Sequence, residues 1–126
     1  VRAALEAGTD SIEHGYYMDS DCAALLAETG AVWVPTLAAI HAFRGRTGFS
    51  AEVVERLLAE QGVRLRQAAA AGALIASGSD AGAVGVPHGA GLHRELRLLA
   101  EALGPGWEAV TARGCTALRN RFPPQR

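Results

Sequence analysis

The strongest constraint on this chain is an alternation between two hydrophobic periods. Thr9 to Glu13, Ala31 to Val34 and Ala73 to Ser77 read as short strands, and apolar residues recur at helical spacing between them. Residues 1–8 read as the end of a helix closed by Gly8. Asp19 or Ser20 caps a helix through Leu25 and Leu26 that ends at Gly30. Ala31-Val32-Trp33-Val34 is apolar, β-branched and aromatic, and Pro35 stops it, as expected of a buried strand. Ser50, Val53, Val54, Leu57, Leu58 and Leu65 mark a long amphipathic helix ending at Gly72. Leu92, Leu96, Leu99 and Leu103 mark another, broken by Gly104-Pro105-Gly106, and a last helix runs from Trp107 to Leu118. Residues 41–50 and 83–91 read as loops, and Pro123-Pro124 ends regular structure. The order is βαβαβα plus one more helix. That order implies an α/β fold with a parallel sheet and helices outside it, either open or part of a closed barrel.

Size and composition bound what this sheet can serve. The 126 residues suffice for one domain, 1–126, and no linker divides them. An apolar share of 49% excludes a disordered tail. A net charge of -1 leaves no broad basic field for nucleic acid, and Arg119, Arg121 and Arg126 are too few to make one. No apolar stretch approaches the ~20 residues of a membrane span. The start, Val1-Arg2-Ala3-Ala4, lacks the long apolar run of a signal peptide. Cys22 and Cys115 form neither a CxxC nor a disulfide framework, so a reducing, cytoplasmic compartment is expected. Every basic residue is arginine, so any chemistry that needs a lysine comes from elsewhere.

In parallel α/β folds the working residues lie just past the carboxyl ends of the strands. His14, the Pro35-Thr36 pair and Asp80 meet that description. His14 and Asp80 are the two able to bind a metal or move a proton. They stand 66 residues apart, which fits two steps of a (β/α)8 barrel at roughly 30 residues per step. Each has a plainer reading, His14 as a loop histidine beside a turn glycine and Asp80 as a turn or cap residue. Glu13 alternates to the other side of its strand from His14, towards the outside or a salt bridge. His88 and His93, five apart in a glycine-rich stretch, are off a helical metal-binding face, and His41 reads as solvated. Gly78-Ser79-Asp80-Ala81-Gly82 has the outline of a nucleophile elbow with Asp80 as nucleophile. Such an elbow needs a helix at once, whereas Ala83 to Gly91 is rich in glycine and holds Pro87.

Taken together, these segments resemble the metal-dependent amidohydrolases, in particular the imidazolonepropionase-like branch with its Xaa-Pro dipeptidase-type enzymes. Ala7-Gly8-Thr9-Asp10-Ser11-Ile12-Glu13-His14-Gly15 resembles that family's strand six, and Val34-Pro35-Thr36-Leu37 its strand seven. The run from Ala71 to Gly82 resembles strand eight. His88-Gly89, Arg94-Glu95-Leu96 and Trp107 to Ala112 are similar to the segments that follow. The resemblance implies part of a (β/α)8 TIM barrel, strands six to eight with their helices plus one C-terminal helix. It also implies hydrolysis of a C–N bond in an amide, cyclic amide or dipeptide. His14 occupies the position of a metal ligand. Asp80 occupies that of a ligand which also takes the proton of the attacking water. Imidazole nitrogen and carboxylate oxygen suit a divalent metal, Zn2+ above all, with one or two ions in the complete enzyme. His88 is a candidate substrate contact, and loops 38–50 and 83–91 are candidates to line the pocket.

What the chain lacks is equally specific. The family's His-x-His pair, its strand-four lysine and its strand-five histidine have no counterpart here. Two ligands are fewer than the three of a usual catalytic zinc site. The expectation is the C-terminal part of a barrel that needs its N-terminal portion, inactive alone, with a small-molecule amide or dipeptide as the parent's substrate. Two alternatives stand beside it. One is a non-enzymatic or pseudo-enzyme α/β piece whose exposed sheet edges and apolar faces need a partner. The other is an Asp-nucleophile hydrolase.

Overall fold

A computed structural model describes residues 1–123; Pro124 and Arg126, named above, lie outside the described residues. The described chain is α/β. Its elements are α1 (Arg2–Glu6), β1 (Ser11–Glu13), α2 (Ser20–Thr29), β2 (Val32–Val34), α3 (Leu37–His41), α4 (Ala51–Ala70), β3 (Leu74–Ile75), α5 (Ala90–Leu103) and α6 (Trp107–Arg121). The three strands form one parallel sheet in the order β1-β2-β3. Ile12 lies opposite Trp33, and Trp33 opposite Ile75. This three-stranded sheet with six helices is consistent with part of a barrel.

Local chemistry explains most boundaries. Asp19 caps α2 by accepting from the Cys22 amide at 2.7 Å, and Gly30 ends it in the left-handed conformation at φ 70°. The Cys22 amide first and the Cys22 thiol next, with Arg2 adding to them, hold the Asp19 carboxyl at about 2. The strands are shorter than the sequence suggests, two or three residues each, because only the central residues of each apolar run pair. α5 starts at Ala90, inside the stretch read as a loop, and α6 continues to Arg121.

The main departure from the sequence reading is α3, five residues directly after Pro35-Thr36. Thr36 does not cap it with its side chain. The carboxylate of Glu95 on α5 does so instead, accepting from the Ala38 amide at 2.6 Å, with the Leu37 amide also bonded to it. Glu95 is fully buried, its second oxygen lacks a partner, and burial pushes its carboxyl up to about 7.

The sheet is covered on both faces at β2. Ile12, Trp33 and Ile75 point to one side, into a core with Leu26 of α2, Leu65 of α4 and Leu99 of α5. Val32, Val34 and Ala76 point to the other, against Cys115, Ala117 and Leu118 of α6. Gly114 lies against the backbone of β3: a Cβ there would sit on the Ile75 carbonyl, 2.8 Å from the Ala76 nitrogen. The Ala76 amide donates to Trp33 of β2 at 2.9 Å. In a parallel ladder the polar groups of Ile75 therefore face away from β2, so α6 covers the free edge of β3. Arg121 at the end of α6 donates to the carbonyls of Asp10 and Gly30, beneath β1 and β2. This corrects the expectation that the β3 edge and the second apolar face lie open. A short run of small residues brings α6 close enough to shield both.

Candidate active site

The carboxyl ends of the three strands carry the residues that the sequence singles out. His14 follows β1, Thr36 follows β2 by two residues, and Asp80 lies past β3. Each has a positive φ, 64° for His14, 51° for Thr36 and 56° for Asp80. Tyr17 is the fourth non-glycine residue in that region among those described. Left-handed backbone is costly for a residue with a Cβ, by ~1–3 kcal/mol, and most of all for a β-branched threonine. Three such residues, one at each strand end, mark this rim as a place where position outweighs backbone ease.

His14 is held from two sides. Its own amide donates to Val34 at 2.9 Å, which carries the strand pairing one residue past β1. Its carbonyl accepts from the Trp33 indole nitrogen at 3.0 Å, so the largest fully buried side chain of the core also fixes this backbone. Gly15 makes room for that contact, since a Cβ there would meet Trp33 Nε1 at 2.8 Å and Met18 Cε at 2.9 Å. The imidazole Nδ1 lies 2.7 Å from Thr36 Oγ1. Thr36 in turn donates to the Pro35 carbonyl at 2.8 Å. A hydroxyl has one proton. With that proton on Pro35, the His14 ring donates Nδ1–H to Thr36 and keeps the Nε2 lone pair free. Tyr16 adds its hydroxyl to Thr36 Oγ1 at 3.2 Å. Burial pushes the Tyr16 phenol up, the Thr36 hydrogen bond opposes this, and the Glu95 and Asp80 carboxylates add to it.

His14, Tyr16 and Asp80 line one cleft of about 230 Å³ with Ala39, Phe43, Ala83 and Val84. Phe43 is fixed by stacking on Phe49 at 4.2 Å between ring centroids. Parts of both sequence-proposed pocket loops, 38–50 and 83–91, therefore reach the cleft. His88 does not line it; the ring is exposed, its Nε2 3.9 Å from where a Cβ on Gly82 would stand. Glu13 is exposed on the strand side away from Ile12 and accepts from Ser11 Oγ at 2.8 Å. Asp80 is not followed by a helix: α5 begins only at Ala90, so the elbow that would present an aspartate nucleophile is not formed. Sequence reasoning placed Thr36 at a strand end without giving it a role, and it passed over Tyr16. Their signal was available in the spacing, since Tyr16 lies two residues past His14.

A divalent metal suits the donor types present, one imidazole nitrogen with a free lone pair and one carboxylate. Among the described residues no group of three His, Cys, Asp or Glu side chains is arranged to hold a metal ion. His14 and Asp80 share one cleft and have the donor types such a site uses, and the described residues supply no third.

The parallel sheet, with a histidine and an aspartate in one cleft at its carboxyl rim, resembles part of a solved peptidase. The chain is similar to a solved structure, the crystal structure of a Xaa-Pro dipeptidase with bound methionine in the active site. The identity is 28% and the TM-score 0.67, over 94% of this chain and 31% of that chain. The chain therefore spans about a third of the length of that protein. No family model matches the chain, and no curated protein does. Among the described residues no helix is long and apolar enough to cross a membrane.

Proposed function

We propose that this chain forms the C-terminal part, 1–126, of a barrel-type metal-dependent hydrolase of C–N bonds. The observation that carries the reading is the shared cleft of His14 and Asp80, with Thr36 holding the histidine so that Nε2 is free. His14 and Asp80 would hold a divalent ion, zinc by the chemistry of its donors. Such an ion, when bound, lowers the pKa of water towards 7 and so supplies hydroxide at neutral pH. Asp80 takes the proton of the attacking water and hands it to the leaving amine, a role open to a carboxylate beside the reacting atoms. Tyr16 and Thr36 position His14. The apolar wall of Ala39, Phe43, Ala83 and Val84 receives a small-molecule amide or dipeptide, with His88 as a contact further out. The remaining ligands, a His-x-His pair, a lysine and a further histidine, belong to the N-terminal portion of the barrel.

Two assays test this. With zinc added, the purified chain alone hydrolyses none of a panel of dipeptides and N-acyl amino acids; turnover by the chain alone would sink the reading of an incomplete site. Joined to a barrel portion that carries the missing ligands, it gains hydrolysis. That activity falls at least ~100-fold in Asp80→Asn, the scale of one lost proton-transfer group. Unchanged turnover in Asp80→Asn or in His14→Ala would remove the substituted residue from the site.

The cover that α6 places over the β3 edge supports a second reading, a self-contained α/β module without catalysis. Sedimentation separates the two. A stable metal-free monomer favours the module, whereas aggregation relieved by the N-terminal portion favours the barrel part.

A further inference from the structure

A second notch lies where the end of α3 meets α5, and it shares no lining residue with the cleft of His14 and Asp80. It encloses about 120 Å³ between His41, Arg44, Arg94, Arg97, Leu98 and Glu101. An open notch of that size admits a few waters or one small oxyanion. Arg94, Arg97, Leu98 and Glu101 fall on one face of α5 by their helical spacing. Three of the chain's arginines therefore converge on one histidine.

The hydrogen bonds of that histidine fix its protonation. His41 Nε2 lies 3.2 Å from Arg44 Nη1. A guanidinium only donates, so Nε2 accepts and the neutral ring carries its proton on Nδ1. His41 Nδ1 is buried and has no partner among the described residues. The sequence reading of a solvated histidine thus holds for the Nε2 side of a half-buried ring and not for Nδ1. Leaving a buried donor unpaired costs ~1–3 kcal/mol. Burial first, then Arg44, Arg94 and Arg97, push the His41 pKa down, which keeps the ring neutral.

Counter-charge in the notch is sparse. Glu55 is committed to Arg44, whose Nε and Nη2 both reach it at 2.6 Å. Arg94 and Arg97 have no carboxylate within 4.0 Å among the described residues, and neither does Glu101 have a cation at that distance. Arg2, Arg56, Arg64, Arg66, Arg113 and Arg121 are each tied to a carboxylate or a carbonyl, whereas Arg46 and Arg119, outside the notch, share the lack of a partner among the described residues. Planar guanidinium forks in a confined site match the geometry of a tetrahedral oxyanion.

We propose that this notch binds a small tetrahedral oxyanion, a phosphate or sulfate group, gripped by Arg94 and Arg97 with Arg44 and the His41 ring behind them. The site is independent of the hydrolase reading, because none of its residues belongs to the His14–Asp80 cleft.

The test is a titration of the full chain with inorganic phosphate at constant ionic strength, chloride being the replaced ion. It is followed by nuclear magnetic resonance of the arginine Nε–H groups and the histidine rings. Saturable shifts at Arg94, Arg97 and His41 are expected, with the same pattern for sulfate. The double variant Arg94→Gln/Arg97→Gln weakens binding at least ~10-fold, as expected for the loss of two charge-assisted contacts. Arg119→Gln, a change on α6, leaves affinity unchanged. Shifts that chloride reproduces, shifts that never saturate, or full affinity in the double variant would overturn the proposal. Should the double variant lose its helical circular dichroism, Arg97→Gln at an exposed position gives the same decision. Competition by phenyl phosphate would assign the site to a phosphoryl group carried on a larger molecule. Its exclusion, with inorganic phosphate still bound, would assign it to the free ion.

Discussion

On one face of the sheet Ile12, Trp33 and Ile75 meet three helices, α2, α4 and α5; on the other, Val32, Val34 and Ala76 meet α6. The first face is filled by large side chains, with Trp33, Leu26, Leu65, Ile75 and Leu99 all fully buried. The second is built from small ones, and Gly114 lets the helix backbone rest on β3. In a closed barrel the first face is the outer, helix-covered one and the second turns inward. The two contacts rest on different physics. Burial of bulky residues at periodic spacing drives the first contact, so many sequences with that pattern would make it. The second depends on close fit at a few positions and is the easier one to undo.

The largest expected effect falls on the first face. Trp33→Ala removes the biggest buried side chain and the indole bond to the His14 carbonyl. It should cost ~3–5 kcal/mol in denaturant unfolding. A loss under 1 kcal/mol would mean that this core is not the fold's foundation.

Glu95, which ties α5 to α3 on the same side, makes that side sensitive to pH. Its folded pKa of about 7 stands above the ordinary 4.5. Between those values the folded state binds the proton that the unfolded state has released, so stability falls as pH rises from 4.5 to 7. The group's contribution amounts to about 3 kcal/mol across that window. Denaturant midpoints at pH 5 and pH 8 should differ in that sense, and Glu95→Gln should flatten the difference. An equal slope in both proteins would remove Glu95 as the cause.

The α6 face should give way at lower cost. Gly114→Val drives a side chain into the backbone of β3 and is expected to cost ~1–3 kcal/mol by overpacking. Thiol labelling reports where the damage falls. Half-buried Cys115 on α6 should react faster, while buried Cys22 on α2 stays protected. Equal labelling of both cysteines would mean that the two faces do not separate.

The smallest effect lies on the rim between them. Thr36→Val removes the hydroxyl that holds His14 Nδ1 and should cost ~1 kcal/mol. Imidazole 15N shifts should then show His14 leaving the single Nδ1–H form. Persistence of that form would assign the tautomer to some other group.

The sequence by itself carried the order of strands and helices, because apolar spacing and caps such as Asp19 and Gly30 act within a few residues of one another. It also placed His14 and Asp80 at strand ends, since a parallel α/β order leaves such residues on one rim. The tertiary structure alone decided the rest. α3 takes its cap from a carboxylate 57 residues further along the chain, and the Nδ1 partner of His14 lies 22 residues away. The side of the sheet that α6 takes depends on Gly114 meeting β3, a fit that leaves no period in the sequence. His41 read as wholly solvated because nothing local reveals that α5 lies beside it and that Nδ1 is shielded. Local interactions write themselves into spacing; contacts between distant segments arise only once the chain has folded back upon itself.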